Sequence, residues 1–260
     1  MLSAVIIARN EAANIERVIK SLHGIVTEVV VVDSGSTDNT QHLARAMGAI
    51  VLETEWQGYG STKNWGAAQA TNPWILSLDA DEELSNHLKR TIGRLSLDRL
   101  AVSTSGAFAP RQVYGFKRLT QFCGEWIHHG AWSRDIVWRI YHRDNAKWST
   151  RAVHETLEFG KETQELQLAG ELKHYSFPSL AHYHKKHDSY AQLGAEALHE
   201  QGRKATWVKR YLAPLWRAFR GYIVQGGWRD GAAGWQIAKL DYQHVKDKYR
   251  RLELLTAASK

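Results

Sequence analysis

Residues 74–82 read Trp-Ile-Leu-Ser-Leu-Asp-Ala-Asp-Glu, and this stretch indicates the fold. A run of almost entirely apolar residues leads directly into a segment that contains three acids. Such a run is typical of a strand that is buried on both faces of a parallel sheet. Similar runs at Leu2–Ile7, Glu28–Val32 and Ala49–Leu52 predict further strands of the same sheet.

Helical patterns separate these predicted strands. In Asn14–Leu22, apolar residues recur at the spacing of one helix face. We predict three more helices, one that begins at Thr37 or Asp38 and runs to Met47, one over Thr62–Ala70, and one capped by Ser85 that runs to Leu95. Strands that alternate with helices call for an α/β fold, a Rossmann-like, mostly parallel sheet flanked by helices.

The rest of the chain has a different character. Short mixed strands are predicted at Phe108–Val113 and Ile136–Tyr141. The last third is predicted to be helical, with helices over His182–Lys204, Trp207–Val224 and Ala232–Glu253. We therefore predict an α/β domain at residues 1–175 and a helical C-terminal subdomain at residues 176–260.

Composition narrows the class of protein. The 260 residues carry a net charge of +7 and 11 tryptophans, which favours a polyanionic partner or a membrane interface. A single cysteine, Cys123, excludes an intramolecular disulfide and favours a reducing compartment. The N-terminus lacks the pattern of a signal peptide, and no stretch has the roughly 18 apolar residues of a transmembrane helix. We expect a cytoplasmic protein that rests on a membrane.

The segment 207–224 has the pattern of an interfacial helix. At helical spacing, Trp207, Tyr211 and Leu215 share a face with further apolar residues, and Lys209 and Arg217 lie on the other side. Pro214 predicts a break or kink in this helix. The alternative is that the apolar face packs against the catalytic part of the chain.

Polar clusters follow three predicted strands, namely residues 8–11, 33–38 and 79–82. In an open parallel sheet, ligands bind beyond the carboxyl ends of the strands. Asp79 and Asp81, which emerge together from one strand, are suited to hold a hard divalent cation with a diphosphate. Asp33 is placed to accept the imide proton of a uracil base. The alternative for Asp33 is a turn and helix cap, because residues 33–38 have ideal turn chemistry.

Four motifs together resemble family 2 glycosyltransferases in order and spacing. They are Val5-Ile6-Ile7-Ala8-Arg9-Asn10-Glu11, Val31-Val32-Asp33-Ser34-Gly35-Ser36-Thr37-Asp38, Lys63-Asn64-Trp65-Gly66 and Leu78-Asp79-Ala80-Asp81-Glu82. The resemblance implies a GT-A fold and transfer with inversion at the anomeric carbon. The whole pattern, including Gly226-Gly227-Trp228-Arg229-Asp230-Gly231, is similar to bacterial lipopolysaccharide inner-core β-1,4-glucosyltransferases.

The resemblance also implies roles for individual residues. Ala8, Glu11 and Asp33 would line the nucleoside pocket, and Lys63 would lie near the base or the phosphates. Asp79 would face the ribose and the metal region. Asp81 would bind Mg²⁺ or Mn²⁺. Many relatives have two acids in the second motif, whereas Ser34 follows Asp33 in this chain.

The implied reaction moves glucose from UDP-glucose to a heptose hydroxyl of a phosphorylated glycolipid in the lipopolysaccharide core. It implies a peripheral position on the cytoplasmic face of the inner membrane, where the basic chain would meet an anionic membrane surface. Another nucleotide sugar or another glycolipid acceptor is the alternative within the family.

The remaining assignments concern the catalytic base, a second metal ligand and the acceptor. An inverting enzyme needs a base within reach of the acceptor hydroxyl. Glu155 is our first candidate, with His154 positioning the acceptor, and Asp135 is the rival. His174 is a candidate metal ligand, with a structural role as the alternative. The candidate acceptor loop consists of Trp126, His128, His129 and Trp132 around Gly130, and its alternative is a packed aromatic corner.

Other classes fit the sequence less well. No Gly-x-Gly-x-x-Gly follows the first strand, and no Gly-Lys-Ser/Thr motif occurs, which argues against dehydrogenases and P-loop enzymes. Neither the Gly-rich loop of a sugar nucleotidyltransferase nor the early nucleophile of a haloacid-dehalogenase-type phosphatase is present. The non-enzyme alternative is a basic nucleic-acid-binding protein. No recognised module supports it, and we expect no nucleic-acid partner.

Overall fold

The computed structural model of the protein describes residues 1–95, 111–133, 135–150 and 155–258, with only the backbone described at 185 and 186. The chain divides into two compact units, which we describe separately. The first unit comprises Met1–Arg118 and Ile136–His174, and the second comprises Leu119–Asp135 and Tyr175–Lys260. The division predicted from sequence, at residue 175, assigns Leu119–Asp135 to the first domain, whereas the structure groups this segment with the C-terminal helices.

The first unit is built on four parallel strands in the order β3-β2-β1-β4. Their bounds are Leu2–Ala8 for β1, Glu28–Asp33 for β2, Ile50–Glu53 for β3 and Trp74–Asp79 for β4. Every residue of β1 is buried, as expected for a strand covered on both faces. The predicted α/β class is confirmed, and these four strands lie within a residue or two of their predicted positions.

Beyond β4 the sheet continues in the order β8-β6-β11-β5, and the pairings of β4 with β8, β8 with β6 and β11 with β5 are antiparallel. The sheet is therefore mixed rather than mostly parallel. Only parallel neighbours need a crossover helix, and the described chain between β6 and β11 contains no helix. The bounds are Glu82–Leu84 for β5, Gln112–Phe122 for β6, Glu125–Trp126 for β7, Ile136–His142 for β8, Ala146–Trp148 for β9, Leu157–Phe159 for β10 and Gln164–Phe177 for β11.

The described residues of the first unit form four helices, namely α1 (Ile15–Leu22), α2 (Thr40–Ala46), α3 (Tyr59–Gln69) and α4 (Asn86–Gly93). The predicted cap of α4 is confirmed, because the hydroxyl of Ser85 accepts a hydrogen bond from the Leu88 N–H at 3.2 Å. Helix α3 packs closely on the sheet. A β-carbon at Gly66 would lie 2.6 Å from a methyl of Val32 and 2.7 Å from one of Val5, so only glycine permits this approach.

From Leu180 onwards the second unit is helical, as predicted for the C-terminal subdomain. Its long helices are α5 (Leu180–Glu200) and α7 (Gly231–Ala258), and a short α-helix, α6 (Ala213–Phe219), lies between the π-helical turns Val208–Leu212 and Arg220–Val224. The turn Gly227–Asp230 is a 3₁₀ helix. It packs tightly, since a β-carbon at Gly234 would lie 1.8 Å from the Gly227 carbonyl oxygen. Among the described residues, no helix combines the length and apolarity needed to cross a bilayer.

Candidate active site

The ends of β1, β2 and β4 meet at one edge of the sheet. The strand register pairs Ala8 with Asp33 and Ile7 with Asp79. The last residues of these three strands are therefore neighbours, and each is followed by one of the polar clusters singled out in the sequence. The parallel pairing thus collects on one edge residues that are far apart in the chain.

The carboxylate of Asp33 is buried and holds the turn that follows it. One oxygen accepts hydrogen bonds from the backbone N–H of Gly35 at 3.2 Å and of Ser36 at 2.9 Å. It also accepts from the Gln41 amide at 2.8 Å, and the second oxygen accepts from the Ser36 hydroxyl. A carboxylate has about four acceptor positions. The turn-forming alternative considered for Asp33 therefore describes its present contacts.

The loop after β1 is fastened to the loop after β2. Asn10 has a left-handed backbone with a φ of 57°, and its side-chain oxygen accepts a hydrogen bond from the Thr37 N–H at 2.8 Å. The N–H of Glu11 donates to the Thr40 hydroxyl at 2.7 Å. The carboxylate of Glu11 accepts from the Asn14 side chain at 2.7 Å. The first two bonds hold the loop after β1 against the loop after β2, next to the strand end at Ala8.

Lys63 is the central cation of the site. Its side chain is 1% exposed, and its ammonium lies 2.9 Å from Asp79 Oδ1 and 2.9 Å from Glu155 Oε1. It also lies 4.4 Å from the centre of the Trp148 ring. A buried ammonium is costly unless it is paired. Here two carboxylates and an aromatic face compensate the charge, and Lys63 in turn holds the two carboxylates together.

The motif Lys63-Asn64-Trp65-Gly66 has a structural explanation. The side chain of Asn64 donates to the Trp148 carbonyl and accepts from the Trp148 N–H, both at 2.8 Å. This pair of bonds fixes α3 to β9. Gly66 lets the helix approach the sheet, as described above. The motif therefore sets the position from which Lys63 reaches the acids.

Arg139 and Glu82 complete the charged cluster. Arg139 in β8 is 3% exposed and donates from Nη2 to Asp79 at 2.9 Å and to Glu82 at 2.7 Å. Burial alone would raise the pKa of Asp79, but Lys63 and Arg139 hold that pKa well below its usual value. For the fully buried Glu82, burial dominates and raises the pKa despite Arg139. The Asp79 carboxylate is thus kept ionised at the strand end.

The two predicted metal ligands lie together. Nε2 of His174 in β11 is 3.4 Å from Asp81 Oδ2, because β11 pairs with β5 and places His174 opposite Glu82. A carboxylate oxygen and an imidazole nitrogen form a donor set that fits a divalent ion such as Mn²⁺. The described residues contain no group of three or more candidate ligands. The remaining ligands of such an ion would have to be oxygens of a substrate or water.

Tyr59 lies within the electrostatic influence of three acids of the site. Burial raises the pKa of its phenol, and the charges of Glu155, Asp79 and Asp81 raise it further. Its ring is 4.8 Å from that of Trp56, and each side chain is 43% exposed. Sequence reasoning missed this pair, as it missed the roles of Arg139 and Glu82. The signal for Glu82 was its place in the motif of residues 78–82.

The candidates for the catalytic base lie in different units. Glu155 belongs to the first unit and shares Lys63 with Asp79. Asp135 belongs to the second unit. Through Lys63, the structure joins Glu155 to the cluster of the first unit. His154 lies outside the described residues.

The predicted acceptor residues Trp126, His129 and Trp132 belong to the second unit. Trp132 packs against Phe122, Phe177 and Tyr183, as the packed-corner alternative states. The Trp126 ring lies 5.1 Å from that of Tyr175. Nδ1 of His129 lies 2.7 Å from Asp230, which also accepts from the His129 N–H at 2.8 Å. Asp230 in the glycine-rich motif therefore fixes the orientation of His129.

Comparison with known proteins identifies the family. The family model described as Glycosyl transferase family 2 matches residues 3–186. This chain belongs to glycosyl transferase family 2. The edge where β1, β2 and β4 end is thus the candidate active site of a family 2 glycosyltransferase, and the mixed sheet flanked by helices is the GT-A-like architecture that the resemblance implied.

Several relatives of this family 2 transferase share most of its length. It is 30% identical over 242 residues to an uncharacterized glycosyltransferase of Rickettsia felis, covering 86% of this chain and 79% of that one. It is 28% identical over 243 residues to the lipopolysaccharide core biosynthesis glycosyltransferase LpsC of Rhizobium meliloti, covering 90% of this chain and 84% of that one.

Among solved structures, a glucosyl-3-phosphoglycerate synthase from Mycobacterium tuberculosis, solved with Mn²⁺ and UDP-glucose, is 28% identical over 46% of this chain and 44% of that one, with a TM-score of 0.35.

Proposed function

We propose that this protein is an inverting hexosyltransferase that moves glucose from UDP-glucose to a heptose hydroxyl of a lipopolysaccharide-core glycolipid. The proposal is carried by one observation: the ammonium of Lys63 binds the carboxylates of both Asp79 and Glu155 at the sheet edge. The similarity to LpsC, a lipopolysaccharide core biosynthesis glycosyltransferase, supports a core-oligosaccharide acceptor. Another nucleotide sugar or glycolipid acceptor within the family is the alternative.

In this proposal, the donor lies across the carboxyl ends of β1, β2 and β4. Ala8 and Glu11 border the nucleoside, and Asp33 shapes that pocket by holding the turn after β2. Asp79 accepts a hydrogen bond from the ribose. Lys63 and Arg139 keep Asp79 ionised and reduce the negative potential that the diphosphate would meet.

Asp81 and His174 would hold Mg²⁺ or Mn²⁺, which offsets the charge on the departing diphosphate. Glu155 takes the proton of the acceptor hydroxyl while the hydroxyl oxygen attacks the anomeric carbon. The bond from that carbon to the diphosphate breaks on the opposite side, and its electron pair leaves with UDP. The ammonium of Lys63 orients the Glu155 carboxylate for this step.

Acceptor recognition is assigned to Trp126, His129 and His154. The fourth predicted acceptor residue, Trp132, is packed in the aromatic corner. Indole faces stack on sugar rings, and the imidazole of His129 is held in one orientation by Asp230. The phosphorylated glycolipid would present its anionic groups to a basic protein. The proposal includes a peripheral location on the cytoplasmic face of the inner membrane.

Calorimetric titration with UDP, with and without Mn²⁺, tests the proposal beside matched titrations with ADP and GDP. We expect binding of UDP alone, strengthened by Mn²⁺. Equal binding of all three nucleotides would contradict the uridine pocket. Tight, salt-sensitive binding of a random oligonucleotide without UDP binding would support the nucleic-acid alternative.

A further inference from the structure

The segment 207–224 carries a row of exposed apolar side chains, which we call the apolar ridge. Side chains of this kind are normally buried or scattered singly, and a contiguous exposed group marks an interaction site. Each member is between 45% and 64% exposed. The ridge consists of Trp207, Val208, Tyr211, Leu212, Leu215, Trp216, Phe219, Ile223 and Val224.

The backbone of the segment keeps the ridge on one side. Its members repeat every four residues, and in a regular α-helix of 3.6 residues per turn this repeat rotates by about 40° each time. The π-helical turns Val208–Leu212 and Arg220–Val224 hold more residues per turn and slow that rotation. Pro214 does not break the segment, because it lies in the first turn of α6, where proline is tolerated.

The charged side chains within the segment that carries the ridge all have one sign. Residues 201–229 contain seven lysines and arginines and no acid, which equals the net charge of +7 of the whole chain. Arg203, Lys204 and Arg220 are exposed. Arg210 and Arg217 are paired with Glu253 and Asp241 of α7. The basic side chains therefore lie beside the apolar ridge within a single segment.

An anionic bilayer surface fits this combination better than other partners. Tryptophan and tyrosine prefer the boundary between headgroups and acyl chains, and basic side chains are attracted to anionic headgroups. A second copy of the chain would bring the same positive charge against this one. A nucleic acid would match the charge but would leave the aliphatic members of the ridge without a partner.

We propose that the apolar ridge inserts into the headgroup region of a bilayer rich in anionic lipid and holds the protein on that surface. This inference adds a membrane-binding surface to the proposed function. It rests on that function in one respect, because the proposed acceptor is a glycolipid. Lipid binding itself requires neither donor nor transfer. Its test can therefore fail or succeed independently of the activity.

The test uses the full chain and sedimentation with vesicles of phosphatidylcholine alone or of an equimolar mixture with phosphatidylglycerol. We expect binding to the mixed vesicles, a blue shift of tryptophan fluorescence, and loss of binding at high salt. One variant combines Trp207→Ser, Trp216→Ser and Phe219→Ser. A second combines Arg203→Gln, Lys204→Gln and Arg220→Gln. Each should lower the vesicle partition coefficient more than tenfold.

The control variant carries Ile50→Ser and Leu254→Ser, which remove exposed apolar side chains outside the ridge and should leave partitioning unchanged. UDP titration of every variant separates a lost surface from a lost fold or donor site. Failure of the unaltered protein to bind mixed vesicles would overturn the proposal. A ridge variant that partitions like the control would also overturn it. So would a stable dimer of the unaltered protein that the ridge variants abolish in sedimentation equilibrium.

Discussion

Lys63 and Glu155 are 92 residues apart in the chain, yet the ammonium of Lys63 donates to the Glu155 carboxylate at 2.9 Å. The same ammonium lies 2.9 Å from Asp79. One buried cation therefore fixes the proposed base relative to the strand end where the donor would bind. This arrangement gives Glu155 a defined place in the first unit.

Replacing Glu155 by glutamine should stop transfer while UDP still binds. The amide keeps the size of the side chain but cannot take the acceptor proton, so we expect kcat to fall at least about a hundredfold. Steady-state kinetics together with UDP calorimetry measure the two effects. Asp135→Asn is the matched comparison. If it lowers kcat and Glu155→Gln does not, the base is Asp135.

Replacing Lys63 by methionine should weaken UDP binding and transfer together. The substitution leaves Asp79 and Glu155 facing each other without their shared cation, and like charges in a buried site repel. We expect UDP affinity to fall about tenfold or more. Lys20→Met, which removes a lysine side chain that is 59% exposed, is the control and should change neither quantity. Unchanged UDP affinity in Lys63→Met would remove Lys63 from the donor site.

Replacing Asp81 by alanine should abolish the stimulation of activity by Mn²⁺. The substitution removes one of two candidate ligands, and no third group among the described residues replaces it. His174→Ala should raise the Mn²⁺ concentration needed for half-maximal activity. Direct Mn²⁺ binding, followed by electron paramagnetic resonance with UDP present, checks both variants. Metal stimulation that persists in Asp81→Ala would exclude Asp81 as a ligand.

Replacing Arg139 by methionine should destabilise the first unit by about 3–5 kcal/mol near neutral pH, because the buried Glu82 and the half-buried Asp79 lose their common partner. In the unaltered protein the pKa of Asp79 is lowered, so its stabilisation is present above its unfolded pKa and is lost as the pH falls towards the folded pKa. In the variant both acids bind protons more readily. The difference in unfolding free energy should therefore shrink as the pH falls.

Urea unfolding at neutral and mildly acidic pH measures this difference. Arg45→Met is the control, because it removes an exposed arginine paired with Glu53, and it should cost about 0–1 kcal/mol. A destabilisation by Arg139→Met that does not depend on pH would contradict the proposed role of the two acids.

Part of the candidate site follows directly from the sequence. Asp33 and Asp79 stand at the ends of apolar runs, and parallel strands end at a common edge, so their proximity is predictable from local patterns. The ion pair between Arg139 and Asp79 is not, since it joins residues 60 apart on antiparallel strands. The sequence also did not decide whether Asp33 contacts a uracil base or holds a turn, because both roles use the same residues 33–38.

The sequence by itself determined the α/β class and the first four strands, because buried strands and helix faces produce local patterns of apolar residues. It also determined the family, because the order and spacing of the motifs can be read along the chain. Only the tertiary structure decided that β8, β6, β11 and β5 extend the sheet, with antiparallel pairing of β4 with β8, β8 with β6 and β11 with β5. The same holds for the pairing of His174 with Asp81, the role of Lys63 between two acids, and the exposure of the apolar ridge. These depend on which distant segments pack together, and distant packing leaves no periodic pattern in either segment alone.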